Sequence, residues 1–352
     1  MVNLNETPVR TCEHFKINNI KLENVLFPNE VEEFRNINIS KVHSNVNIDS
    51  KTKKVKLAYG LSEILLEQIN NNSNANINIE INSKTNNESK IEFKLDKDNL
   101  NLIDNIQITA NENTKSTFII KYESENNIEG YHNGIINVNA KKESEINIIV
   151  VNLLNEISNN FLAIENLIEN NAKVNFTIID FGGKNTISNY YSNLIGEKSE
   201  SNLKTIYIGK ENQILDLNYI DELRGAKSNA NIEVQGVLKD NAKKNFKGTI
   251  DFKKGCKKAI GSENENCMLL SDTAKSLALP ILLCSEEDVE GAHSTSCGKI
   301  GEKELFYIMS RGFDVKEAMK LMVRANFNGI LESIKNEELK NQILEEIDKK
   351  ID

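Results

Sequence analysis

The stretch that decides the fold is Asn72-Ser-Asn-Ala-Asn-Ile-Asn-Ile-Glu-Ile, which ends at residue 81. Its isoleucines (Ile77, Ile79 and Ile81) alternate with polar residues, so an extended chain here has one apolar face and one polar face. Two later stretches have the same form: Ala172-Lys-Val-Asn-Phe-Thr-Ile-Ile and Lys227-Ser-Asn-Ala-Asn-Ile-Glu-Val. The recurrence predicts a repeated unit in which a polar turn leads into a strand.

Similar alternating segments fill the middle of the chain. They include Ile106 and Ile108, Phe118 and Ile120, Ile146 and Ile148, Val174 with Phe176 and Ile178, Ile206 and Ile208, and Ile232 with Val234 and Val237. Each run is about four to six residues long, and helical periodicity hardly interrupts them, which argues against a doubly wound α/β fold. Such units bury an apolar face only when they stack, and Asn suits the corners between them. The pattern therefore favours a parallel β-helix over a β-sandwich, which would need two-residue hairpin turns.

The pattern of apolar and polar residues divides the chain into three parts. Residues 1–55 are mixed and irregular, residues 56–297 are rich in strands, and residues 298–352 are helical. A possible short helix opens the middle part, where Leu61, Ile64, Leu65 and Ile69 share a face. The fold class is therefore mainly β: a β-helix core domain with a short mixed N-terminal region and a C-terminal helical domain.

The C-terminal part carries clear helix signals. Asp314 and Glu317 have the spacing of a capping box, and Gly312 can end the preceding helix. Two apolar stripes follow, formed by Ala318, Met319, Met322, Val323, Phe327 and Ile330 and by Leu339, Ile343, Leu344 and Ile347. We expect part of this surface to pack on the strands and part to dock a partner.

Composition limits the possible settings of the protein. The 352 residues carry a net charge of -9, which disfavours a nucleic-acid ligand. The N-terminal residues lack a basic segment followed by an apolar run, and the most apolar stretch, residues 146–154, is too short to span a bilayer. We expect a cytoplasmic protein without a membrane segment, whose five cysteines are thiols or metal ligands.

Motifs for common enzyme chemistries are missing from the sequence. It has no Gly-x4-Gly-Lys-Ser/Thr phosphate loop, no Cys-x2-Cys pair, no His-Glu-x2-His helix and no Gly-x-Ser-x-Gly elbow. What remains is a neighbourhood of Cys267, Cys284, His293 and Cys297, whose thiolate and imidazole groups suit iron. On a strand, His293 and Cys297 share a face but lie roughly 13 Å apart. They cannot chelate one metal unless the backbone turns between them, and a lone buried Cys is more often a small hydrophobe.

An ordered series of motifs in the last third of the chain resembles the SufB/SufD family of the Suf iron–sulfur cluster assembly system, most of all its SufD members. The series is Phe246-Lys-Gly-Thr-Ile-Asp-Phe, Leu269-Leu-Ser-Asp-Thr-Ala, Glu287-Asp-Val-Glu-Gly-Ala-His, Gly298-Lys-Ile and Leu305-Phe-Tyr-Ile-Met-Ser-Arg-Gly-Phe. Near the start, Pro8-Val-Arg-Thr is similar to the opening of SufD proteins. The Asn-rich middle matches the family only in texture.

The resemblance implies a right-handed parallel β-helix followed by helices. It implies a scaffold subunit without catalysis, which pairs with a SufB-like subunit through β-helix edges and docks the SufC ATPase through its C-terminal helices. Leu305, Phe306, Met309 and Arg311 match the family's docking segment. An ATPase partner also agrees with the missing phosphate loop.

The resemblance places His293 where SufD proteins carry a histidine at the interface with SufB. His293 is therefore a candidate metal ligand, and Cys297 and Cys267 are candidates for cluster assembly, with a transient iron–sulfur cluster at the interface and no permanently bound cofactor. The chain departs from the family at Gly291, where some members have Cys, and at Cys297, where an aliphatic residue is common. Cys267 lies two residues from the SufB acceptor cysteine when Asp272 is the anchor, so that role is not transferred.

Two alternatives stay open from the sequence. One keeps the family and makes the chain a stand-alone, SufB-like homodimer that binds SufC and holds a cluster itself. The other is a β-helix enzyme acting on polysaccharides, for which Asp216 and Asp221 are the acidic candidates.

Overall fold

The computed structural model describes residues 3–23, 25–28, 30–41 and 46–352, except for the side chains of residues 47 and 85–87. Two nine-stranded sheets dominate it. The first, called sheet I, has the order β20-β18-β16-β14-β12-β10-β8-β6-β3, and the second, called sheet II, has the order β19-β17-β15-β13-β11-β9-β7-β5-β4. Because consecutive strands alternate between the sheets, the chain winds as a solenoid.

From β5 onwards the elements follow one another along the chain with short connections. The strands are β1 (Asn3–Leu4), β2 (Ile20–Lys21), β3 (Ile37–Ser40), β4 (Val46–Asp49), β5 (Ala75–Ile81), β6 (Lys84–Leu95), β7 (Asn101–Ala110), β8 (Lys115–Ser124), β9 (Tyr131–Ala140), β10 (Glu145–Leu153), β11 (Asn159–Ile168), β12 (Lys173–Asp180), β13 (Asn185–Leu194), β14 (Glu200–Gly209), β15 (Ile214–Leu223), β16 (Asn229–Leu238), β17 (Lys243–Phe252), β18 (Ala259–Leu269), β19 (Lys275–Cys284) and β20 (Val289–Lys299). The helices are a 3₁₀ turn (Glu13–Phe15), α1 (Glu63–Asn72), α2 (Glu302–Ser310), α3 (Val315–Leu331) and α4 (Glu337–Ile351).

The strands from β5 to β20 pair in parallel within each sheet. Their inward side chains form one continuous core, which includes Ile77, Ile120, Ile178 and Phe246. At the N-terminal end, β3 and β4 pair in antiparallel fashion with β6 and β5 and so cover the first coil. At the other end, β19 and β20 are edge strands. The start of the solenoid thus ends in two edge strands of four residues each, whereas the finish, here called the open end, has edge strands of ten and eleven residues. Edge strands are where partners add.

The corners between strands are short and are not confined to Asn. They are short turns that place one residue in the left-handed region, such as Asn113, Asn171, Glu143 and Lys198. Asn tolerates this conformation best, but Glu and Lys occupy it as well at a cost of about 1 kcal/mol or more. Asn therefore occupies some of the corners, as its conformational tolerance predicts, but not all of them.

Helices α3 and α4 lie on the outer face of sheet I and not on the end of the solenoid. Val323, Phe327 and Ile343 of α3 and α4 pack against outward residues of sheet I, among them Ile206 and Ile208. The alternation of Ile206 and Ile208 correctly predicted this strand. Both isoleucines, however, pack against the helices and do not belong to the solenoid core. The predicted capping box is present. The Asp314 carboxylate accepts a hydrogen bond from the Glu317 backbone N–H, and the Glu317 carboxylate accepts one from the Asp314 backbone N–H.

The N-terminal segment and α1 cover the outer face of sheet II. Leu65 and Ile69 of α1 pack there, as predicted, whereas Ile64 is exposed. Asn5 is fixed by a buried ion pair beneath it: its side chain donates to Asp216, and the Lys247 ammonium contacts both Asp216 and the Asn5 carbonyl. Neither Lys247 nor Asp216 is exposed, so the contact holds the segment firmly to the sheet.

The predicted fold class is confirmed: a mainly β chain forms a parallel β-solenoid, followed in the sequence by C-terminal helices. Strands of 7 to 12 residues in β5 to β20 are longer than the alternating runs suggested, because both faces of each strand are covered for much of its length. The handedness and the domain boundaries at 55/56 and 297/298 stay predictions. The parallel strands begin at Ala75, and the C-terminal helices begin at Glu302.

Candidate functional site: the open end of the solenoid

The last strand, β20, is almost entirely exposed, and in the described part of the chain it pairs with β18 alone. Its amide hydrogens fall into two sets. The ladder continues with Ile300, whose N–H bonds to the Leu269 carbonyl of β18. Because N–H groups in a parallel strand point alternately to the two sides, the even-numbered residues bond to β18. The odd-numbered residues, including His293, Thr295 and Cys297, direct their N–H and C=O groups to the free edge.

The register between β18 and β20 decides which side chains meet. His293 lies opposite Glu263, and Cys297 lies opposite Cys267. In-register residues of parallel strands project to the same face. Glu263 and Cys267 point into the solenoid, since they are 2% and 1% exposed. His293 and Cys297 therefore project along the same interior direction, where no further coil covers them.

The structure thus brings together only some of the predicted site residues. Cys297 and Cys267 are neighbours, whereas His293 lies four residues away along the same exposed face of β20, as the alternation predicted. Cys284 is exposed at the end of β19, and its thiol contacts the Glu286 carbonyl at 2.9 Å. Among the residues that the structure describes, no three His, Cys, Asp or Glu side chains are close enough to hold a metal ion. The open end offers a partial ligand set.

A buried ion pair lies just beneath the open end. The Lys244 ammonium contacts the Glu265 carboxylate at 2.7 Å, and both side chains are fully buried. Tyr207 donates to the same carboxylate oxygen at 2.9 Å. The Tyr207 ring lies over Gly236, where an added Cβ would come within 1.8 Å of the ring carbon Cζ. Removing one partner of such a pair costs about 3 to 5 kcal/mol, because the other charge stays buried.

Glu263 is unusual among the buried charged residues beneath the open end. Within the described residues, neither of its carboxylate oxygens has a hydrogen-bond partner. Burial, followed by the negative charge of Glu265, raises the pKa of Glu263 to about 8. Glu263 is therefore a neutral acid at neutral pH, one coil below His293. Burial likewise raises the pKa of the Cys267 thiol to about 11, against the opposing charge of Lys244.

Sequence reasoning missed Lys244, Glu263 and Glu265. The available signal was the phrase Glu263-Asn-Glu-Asn-Cys, which puts acids on alternate positions that continue an apolar register. The residues below them in β16 are Ile232 and Val234, which belong to an alternating apolar run that the sequence analysis identified. Without the register, the acids fit an ordinary solvated strand face.

The acidic residues proposed for a polysaccharide enzyme do not line a groove. Asp216 is buried under the N-terminal segment, and Asp221 points into the core, where Ser201 donates to it at 2.9 Å. Burial raises the pKa of Asp221 to about 7. Catalysis on a polymer needs carboxylates that reach the substrate. This arrangement removes the support for that alternative.

A second exposed surface lies on the helices next to β20. None of the residues of α2 is buried, and Phe306 is 73% exposed. Tyr307 and Met309 are exposed as well, and the Arg311 guanidinium donates to the Tyr307 hydroxyl at 3.0 Å. Phe313, Val315 and Leu321, which follow α2 along the chain, are exposed as well. Together with Phe306, Tyr307, Met309 and Arg311 they are here called the α2 patch. Exposed apolar patches of this kind mark interaction sites. Leu305 is only partly exposed.

Comparison with known proteins identifies the class to which this fold and site belong. Residues 93–326 match the family described as "SUF system FeS cluster assembly, SufBD core domain". The match covers well over half of the chain. The chain belongs to the SufBD family.

Several curated relatives agree with the predicted likeness to SufD. The iron–sulfur cluster assembly protein SufD of Bacillus subtilis is 31% identical over 166 residues, which cover 47% of this chain and 38% of that protein. SufD of Escherichia coli is 22% identical over 241 residues, or 68% of this chain and 57% of that protein. A SufBD family protein of Pyrococcus horikoshii is 30% identical over 163 residues, or 46% and 35%. The matched segments thus span about a third to just over half of these relatives. Within the described residues, no helix is long and apolar enough to cross a membrane.

Proposed function

We propose that this chain is a non-catalytic scaffold subunit of the Suf machinery, in which iron and sulfide are cargo and a nascent cluster forms between this chain and a SufB-like partner. The observation that carries the proposal is the open end of the solenoid, where a free strand edge presents His293 and Cys297 to solvent. Membership of the SufBD family supplies the context. A cytoplasmic setting, in which thiols stay reduced, suits the exposed Cys297.

The pairing with the partner rests on the free edge of β20. Its odd-numbered residues leave a row of N–H and C=O groups without a strand partner in the described structure, and such a row templates strand addition. Because His293 and Cys297 belong to this odd-numbered set, an added strand would lie directly beside them. The partner's own side chains would then face the same interior space.

The number of protein ligands that a cluster needs favours a site shared between this chain and a partner. An iron–sulfur cluster generally takes about four protein ligands. This chain exposes one imidazole and one thiol on β20, and Cys267 lies buried behind Cys297. A partner that brings its own thiolates or carboxylates completes the set. Separation of the two halves explains how the scaffold can form and release a cluster without binding it permanently.

We propose that the α2 patch docks the SufC ATPase. Phe306 and Met309 are exposed on α2, none of whose residues is buried, and Arg311 is exposed at the end of that helix, so their exposure has no role in folding the solenoid. Aromatic and Arg side chains are the usual anchors of protein interfaces. The chain has no phosphate-loop motif of its own, so a partner must supply ATP hydrolysis.

The test is anaerobic co-expression of this chain with a SufB-like protein and a SufC-like ATPase, followed by measurement of what co-elutes and of bound iron and sulfide. We expect a stable complex, and we expect His293→Ala to keep the complex but lower its iron and sulfide at least fivefold. The matched control is His14→Ala, which changes an exposed histidine on the N-terminal segment. A chain that elutes alone, or equal iron in both variants, contradicts the proposal.

The docking surface is tested in the same system. Phe306→Asp is expected to abolish co-elution of the ATPase while the SufB-like partner stays bound, because a charge replaces the most exposed aromatic residue of the α2 patch. Phe15→Asp is the control, since Phe15 is also exposed (56%) but lies on the N-terminal segment. Loss of the ATPase in both variants, or in neither, contradicts this assignment.

A homodimer is the second candidate, and the same observation supports it, because a free edge also accepts a second copy of this chain. The two candidates differ in what holds a cluster. Anaerobic reconstitution of the chain without a SufB-like protein gives a dimer with bound iron and sulfide only if the stand-alone function is correct.

A further inference from the structure

The last two strands of sheet I carry a pair of cysteines in direct register. Cys267 of β18 lies opposite Cys297 of β20. Neighbouring strands are about 4.8 Å apart, and a disulfide needs Cα atoms about 4.4 to 6.8 Å apart. Both side chains project to the same face. The register therefore places the two Cα atoms within the separation that a disulfide needs.

The other three cysteines have no cysteine opposite them in the described strand register, although Cys284 lies close enough to Cys256 to act on it electrostatically. Cys284 lies opposite Phe252, Cys256 lies in the turn after β17, and Cys12 lies in the N-terminal segment. Among the strand pairings that the structure describes, the pair in β18 and β20 is the one that sets Cys against Cys. All five cysteines are free thiols.

The two thiols of the pair differ in access. Cys297 is exposed at the open end, whereas Cys267 is 1% exposed and packed beneath it. A reagent in solution reaches Cys297 first, and Cys267 is placed to attack the product. This is the arrangement of an attacking thiol and a resolving thiol.

We propose that Cys267 and Cys297 form a reversible disulfide that links the last two strands of sheet I. The oxidant is a low-molecular-weight disulfide. Cys297 loses its proton to solvent and its thiolate attacks the reagent, which forms a mixed disulfide and releases one small thiolate. Cys267 then attacks the Cys297 sulfur, and its proton passes to the second departing thiolate. Two protein thiols are thus oxidised to one disulfide, and one reagent disulfide is reduced to two thiols; excess small thiol reverses the reaction.

The disulfide removes the exposed thiol of the open end and ties the edge strand to its neighbour. If the proposed function holds, oxidation therefore lowers the capacity of this end to receive iron. The disulfide itself does not depend on that function, because it forms in the unpaired chain and is detected without a partner or a cluster.

The test is peptide mapping of the purified full-length chain after equilibration with oxidised glutathione and alkylation of the remaining thiols. Trypsin separates Cys267, between Lys258 and Lys275, from the peptide that carries both Cys284 and Cys297. A glutamyl endopeptidase then cuts between those two cysteines at Glu286, Glu287 and Glu290. We expect the Cys267–Cys297 linked peptide to exceed every other linked species at least tenfold, and to disappear after treatment with reduced glutathione.

A second probe reports the distance between the thiols without oxidation. Phenylarsine oxide bridges two adjacent thiols, so the reduced chain should bind one equivalent, and Cys297→Ser and Cys267→Ser should each abolish the binding. Cys284→Ser and Cys12→Ser are the matched controls and should retain it. Three kinds of result would overturn the proposal. The first is glutathione that stays attached to Cys297. The others are a Cys284–Cys297 or Cys256–Cys284 link, and a link between two chains through Cys297. The peptide map of the wild-type chain tests the proposal even if the Cys267→Ser variant does not fold.

Discussion

Replacement of Glu263 by Gln should stabilise the protein at alkaline pH, with a much smaller effect in mild acid. Glu263 is buried, without a hydrogen-bond partner among the described residues, and its pKa is raised to about 8 from an ordinary value of 4.5. In the unfolded chain it ionises near 4.5, whereas in the folded chain it keeps its proton until about pH 8. The folded state therefore binds one more proton between these two values, and stability falls as pH rises through this window. Gln has nearly the same shape and never ionises.

The size of the effect follows from the same numbers. One pH unit in this window costs about 1.4 kcal/mol, so the difference in unfolding free energy between Glu263→Gln and wild type should grow by about 3 kcal/mol from about pH 5.5 to above pH 8. Other buried acids, such as Asp180 and Asp221 with pKa values raised to about 6 and 7, titrate equally in both proteins and cancel. Urea denaturation of the two proteins across this pH range measures the difference.

Two further variants make the measurement specific. Glu233→Gln on the partly exposed outer face of β16 should show no pH-dependent gain. Glu265→Gln should lose about 3 to 5 kcal/mol at every pH, because it leaves the Lys244 ammonium buried without its carboxylate. A difference between Glu263→Gln and wild type that stays constant within about 0.5 kcal/mol over the whole range refutes the view of Glu263 as a buried neutral acid.

Three other variants test the packing and the two surfaces. Gly236→Ala should cost about 1 to 3 kcal/mol or more in urea denaturation, because its methyl group meets the Tyr207 ring, whereas Gly329→Ala in α3, with open space at the Cβ, should be neutral or slightly stabilising. Thr295→Pro should weaken binding of the SufB-like partner at least tenfold in a titration, because it removes an N–H from the free edge but none from the ladder to β18, and Thr295→Ala should bind normally. Phe306→Asp should leave the melting temperature within about 2 °C of wild type while ATPase binding is lost, and a large drop in melting temperature would show that the residue belongs to the core.

The sequence was sufficient for the architecture because its dominant signal is local. Alternation such as that of Ile77, Ile79 and Ile81 marks a strand wherever it occurs, and the capping box at Asp314 and Glu317 marks a helix start. The sequence does not indicate whether an apolar face of a strand packs into the solenoid core or against the C-terminal helices. Ile206 and Ile208 alternate as cleanly as the core residues, yet they pack under α3 and α4, because both faces of β14 are covered.

The site shows the same division between local and long-range information. The exposure and common face of His293 and Cys297 follow from a strand at the end of a solenoid. The pairing of Cys267 with Cys297 depends on the length of each coil, and these lengths vary. Register partners are 28 residues apart at Glu145 and Lys173 but 31 apart at Asn229 and Ile260. A slip of one residue turns a side chain to the other face, so the meeting of these thiols needs the three-dimensional register.

Hydrogen–deuterium exchange of β20, resolved to single amides, tests the central claim most directly. In the free chain, the odd-numbered amides within Val289–Lys299 should exchange rapidly and the even-numbered ones slowly, because only the latter bond to β18. On binding of a SufB-like partner, the odd-numbered amides at and around His293 should become protected at least tenfold. Unchanged exchange along β20, with protection appearing on another surface, would contradict the claim that the open end of the solenoid is where this chain meets its partner.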